Sequence, residues 1–471
     1  MNRDIRRERE ALRRAAALAE GFLDGVAERP VGPRASVEAL RTALGGPLPE
    51  AGADPVEVVE ELARAAEGGL MASAGPRFFG FVIGGSHPAA VAADWLTSAW
   101  DQNAGLYATS PAAAVAEEVA AGWLLELFGF PAGTAVGFVT GCQMANFAGI
   151  AAGRHAVLRR AGWDVEDKGL QGAPPVHVVV GEEAHVTIFT SLRMLGLGGG
   201  RAKKVAVDDQ GRMRADDLGR VLAGCDGPTI VCAQAGNVNT GAFDPLDRIA
   251  PMVRERGAWL HVDGAFGLWA AASPEKRPLA PGLEQAHSWA TDGHKWLNVP
   301  YDCGLVLAAE PTALRSAMTA TASYLIHSSG ATRDPFEWTP EFSRRARGFA
   351  TYAALRSLGR RGVAALVERC CRLAGRMAER LGAAPGVRIL NDVVLNQVLV
   401  RFEAPGRDAD ALSRAVVARI QRDGTCWLSG THWHGMDAMR VSVSGWSTTE
   451  ADIDRSADAI LAAARAEREA A

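Results

Sequence analysis

The sequence predicts an α/β protein with a large domain, whose mostly parallel sheet is covered by helices, and a smaller C-terminal α+β domain. Two observations carry this expectation. Between about residues 110 and 310, short runs that are mostly apolar throughout (176–180, 204–207, 229–233, 259–262 and 303–307) alternate with helical stretches. Strands buried on both faces read this way, and repeated strand and helix build a parallel sheet. After about residue 372 the order becomes helix, strands over 393–402, helix, a strand over 439–444 and a terminal helix. A chain of 471 residues also exceeds what one core usually sustains. The expected division is a helical segment over 1–75, a large domain over 76–371 and a small one over 372–471.

Taken in order, the first forty residues alternate charge with alanine and leucine and lack the unbroken apolar core of a signal peptide. Breaks at Pro30, Gly32, Pro33 and 45–49 separate amphipathic helices, and 56–66 shows the helical period clearly. Such a leader packs on its own domain or on a partner subunit. The stretch 76–88 is aromatic and glycine-rich, which suits either plain core or, at Phe81, a wall for a flat ligand. A helix over 91–96 precedes a polar loop at 102–109, and Ser110 with Pro111 opens the next helix. The stretch 324–335 is rich in polar and breaker residues and reads as a loop, with a long helix beginning near Arg344.

Composition narrows the function. A net charge of -4 and a pI near 6.2 leave no footprint for nucleic acid. No apolar run reaches the roughly 18 residues of a membrane span, so a soluble, cytoplasmic protein is expected. Seven cysteines without a CxxC pair, two of them adjacent at Cys370 and Cys371, argue for a reducing compartment and against structural zinc. The pair His432 and His434 lacks a nearby third ligand and reads as a polar turn, so no metal is expected.

The chemistry gathers around Lys295, in Thr291-Asp292-Gly293-His294-Lys295-Trp296. A lysine after a glycine is by itself a solvated cation. Thirty-two residues earlier, however, an apolar strand ends in Asp263, followed by the small residues Gly264 and Ala265. An acid closing a buried strand and a lysine after the next strand suit a pyridoxal phosphate site, where the lysine forms a Schiff base and the acid pairs with the pyridinium nitrogen. Gly141, Cys142 and Gln143 lie between a strand and an alanine-rich helix, where backbone amides bind phosphate. His185 follows the strand 176–180 and is either a ring-stacking imidazole or a structural histidine. The loop 233–244, with Asn237, either touches the cofactor or caps its own turn.

In this order the parts resemble the type I pyridoxal phosphate-dependent (aminotransferase-like) fold, and more finely the group II amino-acid decarboxylases, which include the aromatic amino-acid and glutamate decarboxylases. The resemblance spans about residues 70 to 455. It rests on Ala184-His185, Ala235-Gly236 with 241–245, His261-Val262-Asp263, and 292–297 with Asp302-Cys303. It implies that Lys295 carries the cofactor, His185 stacks on its ring, Asp263 pairs with its nitrogen and Ala265 packs on the other face. Gly141, Cys142, Gln143 and His294 would serve the phosphate. Tyr324 matches the loop tyrosine that returns a proton to the substrate carbon, and Arg440 an arginine that binds the substrate carboxylate. Asn103 and Gly105 stand where aromatic decarboxylases carry bulky apolar residues from the neighbouring subunit. They favour a polar or aliphatic substrate side chain.

The resemblance thus implies decarboxylation of an L-amino acid by a homodimer with shared sites. The alternative is a relative with changed outcome, either decarboxylation coupled to oxidative deamination or transamination. A nucleotide-binding oxidoreductase is disfavoured, because no GxGxxG turn is followed by an acid about 20 residues on. A non-catalytic cofactor-fold protein is disfavoured by the retention of Lys295, Asp263, His185 and Tyr324 together.

Overall fold

The computed structural model describes residues 5–319 and 333–470. Its large sheet has seven strands, β1 (Ala135–Val139), β2 (His177–Gly181), β3 (Lys203–Val205), β4 (Thr229–Gln234), β5 (Trp259–Asp263), β6 (Ser288–Asp292) and β7 (Gly304–Ala308), in the order β1-β7-β6-β5-β4-β2-β3. Strands β2 to β6 are parallel to one another, and β7 runs against both β1 and β6. Both faces are buried, as the apolar runs required. Leu305 and Leu307 enter one core while Val306 and Ala308 enter the other.

Helices α1 (Ile5–Gly25), α2 (Val37–Leu44) and α3 (Pro55–Ala66) form the leader. Asp54 caps α3 through the amide of Val56 at 2.9 Å, with Pro55 at the first helical position. Neither α2 nor α3 buries a residue fully, and Leu12, Val58 and Leu62 are exposed. Helix α4 (Pro88–Trp100) likewise shows Trp95, Leu96 and Trp100 at its surface. Helices α5 (Pro111–Phe128), α6 (Cys142–Arg160), α7 (Val165–Lys168), α8 (Val186–Met194), α9 (Ala215–Ala223), α10 (Leu246–Glu255) and α11 (Pro311–Met318) connect and cover the sheet.

The contact that positions the site is α6 against β5. Cys142, Asn146, Gly149 and Gly153 recur at helical spacing on one face of α6 and meet Asp263, His261 and Trp259, which alternate on one face of β5. A Cβ on Gly149 would lie 2.7 Å from His261 Cε1, and one on Gly153 would lie 2.7 Å from Trp259 Cδ1. The two glycines therefore let the helix approach the strand closely enough for Cys142 and Asn146 to touch Asp263.

Helix α12 (Gly348–Gly382) runs through the expected division at 371/372 and carries a non-helical Gly359 at φ 61°. Beyond it lie β8 (Val387–Ile389), β9 (Gln397–Phe402), α13 (Ala409–Asp423), β10 (Ser429–Trp433), β11 (Met436–Ser442) and α14 (Glu450–Glu469). The second sheet is antiparallel in the order β10-β11-β9-β8. The histidine pair does not form an isolated polar turn. Thr431 to Trp433 belong to β10, and the hairpin turns at His434 and Gly435, both at positive φ (46° and 78°), as a tight two-residue connection requires. Trp433 is buried and His432 is exposed, so the alternation was present but interrupted by the turn.

Candidate active site

The carboxyl ends of β5 and β6 and the first turn of α6 bring one cluster together. Lys295 follows β6 after the Gly293-His294 turn. Its amine lies 3.2 Å from Asp292 Oδ2. Burial alone would lower the amine's pKa, but the nearby carboxylates, Asp292 first, outweigh burial and hold it above the ordinary lysine value. The other oxygen of Asp292 accepts the backbone N–H of Cys142 at 2.6 Å and faces His294 Nε2 at 3.4 Å. His294 Nδ1 accepts the amide of Cys303 at 3.1 Å, so its proton sits on Nε2, toward the carboxylate. Tyr301 stacks on His294 with ring centroids 4.2 Å apart.

Asp263 ends β5 and is only 4% exposed. Its Oδ1 accepts the Cys142 thiol at 3.4 Å and the Ala265 amide at 3.2 Å, and its Oδ2 accepts Asn146 Nδ2 at 3.1 Å. Burial and the neighbouring Asp263 charge push the Cys142 thiol far up, which keeps it a donor. His185 caps α8. Its Nδ1 accepts from the backbone of Thr187 at 3.4 Å and lies 2.8 Å from the Thr187 hydroxyl. Burial holds the imidazole below its ordinary pKa despite the charge of Asp263, so it is neutral with its proton on Nε2. Cys142 bridges Asp292 and Asp263, Asp292 meets Lys295, and Asn146 with Thr187 bridges Asp263 and His185, so these residues border one space.

Arg440, on β11, is buried, and among the described residues no carboxylate lies within ion-pair distance of it. Its Nε has no hydrogen-bond partner, and burial pulls the guanidinium down to about 10. Asn237 spends its side-chain oxygen on its own turn, accepting the amides of Asn239 at 2.8 Å and Thr240 at 3.2 Å, while its Nδ2 is buried without a partner. Phe81 is exposed beside Trp427, at 5.6 Å between ring centroids. Its neighbour Gly84 passes so close to the carbonyl of Lys295 that a side chain there would collide with it. Asn103 is bound to the amide of Arg344 through Oδ1 at 3.1 Å. Tyr324 lies outside the described residues.

Two members of the cluster were not singled out from sequence, Asp292 and Asn146. Asp292 stood in the lysine motif as part of a turn. Asn146 lies one helical turn after Cys142, on the face that Gly149 and Gly153 continue, and that periodicity was the available signal.

The residues fit a phosphorylated pyridine aldehyde. A buried carboxylate surrounded by donors suits a protonated ring nitrogen and a buried amine suits the aldehyde, while at the glycine-opened N-terminus of α6 the Cys142 amide is held by Asp292, so a phosphate there would have to displace that carboxylate. Among the described residues no group of histidine, cysteine and acidic side chains forms a metal site, and no helix is long and apolar enough to cross a membrane.

Comparison with known proteins agrees. The chain is 25% identical over 448 residues to an aromatic-L-amino-acid decarboxylase of Bacillus atrophaeus, covering 93% of this chain and 91% of that one. It is 26% identical over 400 residues to the cysteine sulfinic acid decarboxylase of Mus musculus, covering 80% of each. The crystal structure of Oryza sativa TDC with PLP and tryptamine superposes with a TM-score of 0.91 at 23% identity, over 99% of both chains, and shares the fold. The model of the pyridoxal-dependent decarboxylase conserved domain matches residues 39–403. With this match spanning most of its length, the chain belongs to the pyridoxal-dependent decarboxylase family, whose cofactor is pyridoxal phosphate.

Proposed function

We propose that the protein removes the α-carboxyl group of an L-amino acid as carbon dioxide and releases the corresponding amine. One observation carries this reading: beside the first turn of α6, Cys142 joins Asp263 to Asp292 and so to the Lys295 amine, while Asn146 and Thr187 join Asp263 to the His185 imidazole. When bound, pyridoxal phosphate supplies an aldehyde that links to amines and a ring that accepts the electron pair left as carbon dioxide departs.

Lys295 Nζ would hold the aldehyde carbon, Asp263 the ring nitrogen, and His185 and Ala265 opposite faces of the ring. Gly141, Cys142, Gln143 and His294 would hold the phosphate, and Asn237 would be a further cofactor contact. Three donors fix the orientation of Asp263, whose carboxylate would accept from a proton on the facing ring nitrogen. Thr187 fixes His185 as a neutral ring with Nε2–H free to donate. Arg440, without a carboxylate of its own, is suited to the carboxylate of the substrate.

The same reading makes the protein a cytoplasmic homodimer in which Phe81, Asn103 and the loop that follows border a shared substrate pocket. The exposed apolar residues of α1, α3 and α4 support pairing.

The experiment is to load the protein with pyridoxal phosphate, test for a near-visible band that borohydride removes, and offer a panel of L-amino acids. Amine and carbon dioxide are followed by mass spectrometry. Amine plus carbon dioxide from one substrate is the expected result, with the band absent in Lys295→Ala. A band that survives in that variant, or aldehyde or keto acid as the product, overturns the reading.

A further inference from the structure

Behind Asp263 runs a chain of buried polar side chains that continues past the Asn146 and Thr187 contacts already named. Asn146 Nδ2 donates to Asp263 Oδ2 at 3.1 Å and lies 3.3 Å from Thr187 Oγ1, whose hydroxyl reaches His185 Nδ1. Asn146 Oδ1 lies 2.9 Å from His261 Nε2. His261 Nδ1 lies 2.8 Å from Ser288 Oγ, and Ser288 Oγ accepts Trp259 Nε1–H at 2.9 Å. Asn146, His261 and Ser288 are each fully buried, at 0% exposure.

Only one direction of donation satisfies this chain. A carboxylate can only accept, so the amide of Asn146 must face Asp263 and its carbonyl must face His261. His261 must then carry its proton on Nε2, and its Nδ1 must accept from Ser288. The single proton of Ser288 has two acceptors in reach, His261 Nδ1 at 2.8 Å and the Gly149 carbonyl at 3.4 Å, and the shorter contact is the one that leaves no ring nitrogen unpaired. Burial holds His261 at a pKa of about 4, far from protonation at neutral pH, so the histidine serves as a fixed neutral donor. Each donor in the chain polarises the next, and the chain ends on the oxygen that would face the ring nitrogen of the cofactor.

We infer that Asn146 and His261 are positioning residues that hold the Asp263 carboxylate as an acceptor toward the cofactor ring nitrogen, and that Asn146 also ties Asp263 to His185 through Thr187. Stripped of this donor, a buried carboxylate favours its neutral form, and the proton shared with the ring nitrogen moves toward Asp263. The glycine at 149 belongs to the same device, since a side chain there would occupy the place of the His261 ring.

This inference rests on the pyridoxal phosphate reading, and one experiment separates the two. Wild-type protein, Asn146→Ala, His261→Phe and His261→Gln are loaded with pyridoxal phosphate labelled with nitrogen-15 at the ring. The ring-nitrogen resonance, the cofactor affinity and the borohydride-sensitive band are measured for each. Absence of the band in wild-type protein is a failure of the functional reading, which this inference requires. With the band present, Asn146→Ala and His261→Phe are expected to move the ring-nitrogen resonance toward the unprotonated position. They should weaken cofactor affinity by about tenfold or more, the usual consequence of orphaning a buried polar group. His261→Gln, which still presents an N–H donor, is expected to keep the wild-type resonance. That rescue separates positioning from bulk packing, which both replacements disturb. A resonance unmoved in Asn146→Ala or in His261→Phe, in protein that shows the borohydride-sensitive band, overturns the inference.

Discussion

Asp292 Oδ2 lies 3.2 Å from Lys295 Nζ while Oδ1 of the same carboxylate accepts the Cys142 amide at 2.6 Å. One side chain therefore links the Lys295 amine to the N-terminus of α6. The amine is held above its ordinary pKa, with burial opposed and outweighed by Asp292 and the other nearby charges. An amine attacks an aldehyde only when unprotonated, so capture of pyridoxal phosphate should quicken as pH rises toward that elevated pKa. Asp292→Asn removes the nearest charge, lowers the pKa of the amine, and should shift the rise to lower pH, with severalfold faster capture at pH 7. Stopped-flow absorbance against pH measures it. An unshifted profile would show that Asp292 does not set the proton on Lys295.

His261 gives the fold a defined acid sensitivity. Its pKa falls from 6.5 to about 4 on burial, so the unfolded chain binds more protons between these values. Stability is complete above pH 6.5 and is lost as pH falls toward 4. The loss between pH 7 and pH 5 should be roughly 2 kcal/mol. His261→Gln removes the titrating group, so its urea midpoint should fall less over that interval than that of the wild type. Equal slopes would mean that another buried group carries the acid sensitivity.

These residues show why the site was only partly legible in sequence. Lys295, Asp263 and His185 stood out in the sequence because Asp263 ends β5 and the other two follow β6 and β2 within one turn, where local pattern points to a ligand. Parallel strands declare themselves by continuous apolar runs, which is why β4 and β5 were placed within a residue or two of their observed ends. Asn146 and Asp292 work through partners 117 and 150 residues away. Nothing local marks an asparagine inside an alanine-rich helix as a carboxylate's donor. The reversal of β7 was invisible for a similar reason, since a buried strand reads alike in either direction.

Arg344 and Glu117 form a second long-range tie, with Nη1 to Oε1 at 2.7 Å and both side chains buried. Arg344 also donates to the carbonyls of Ala104 at 2.7 Å and Phe138 at 2.5 Å, joining the loop after α4 to the end of β1. Burial pushes the Glu117 carboxyl upward against the pull of Arg344. Arg344→Met leaves that acid unpaired and should cost about 3–5 kcal/mol. The double variant Arg344→Met with Glu117→Leu should recover most of this loss, because it buries no lone charge. Its loop at 103–110 should nevertheless exchange amide hydrogens faster than wild type. If the double variant is as unstable as the single one, the bonds to the backbone carbonyls, and not the ion pair, carry the stability.

Substitution of Arg440 offers a test that separates substrate binding from cofactor binding. It is buried and, among the described residues, has no carboxylate within ion-pair distance, so its charge is available to a ligand. A charge-assisted pair contributes about 1.5–3 kcal/mol, so Arg440→Met should lower kcat/KM roughly 10–100-fold. Arg440→Lys should recover only part of it, since an ammonium lacks the planar fork that meets both carboxylate oxygens. The decisive comparison is between an inhibitor bearing the α-carboxylate and its neutral amide. Arg440→Met should weaken the acid far more than the amide while leaving the affinity for pyridoxal phosphate unchanged. Equal weakening of both would mean that the arginine shapes the pocket without contacting the carboxylate. Loss of cofactor affinity would instead assign its charge to the site around His185, on which it already acts.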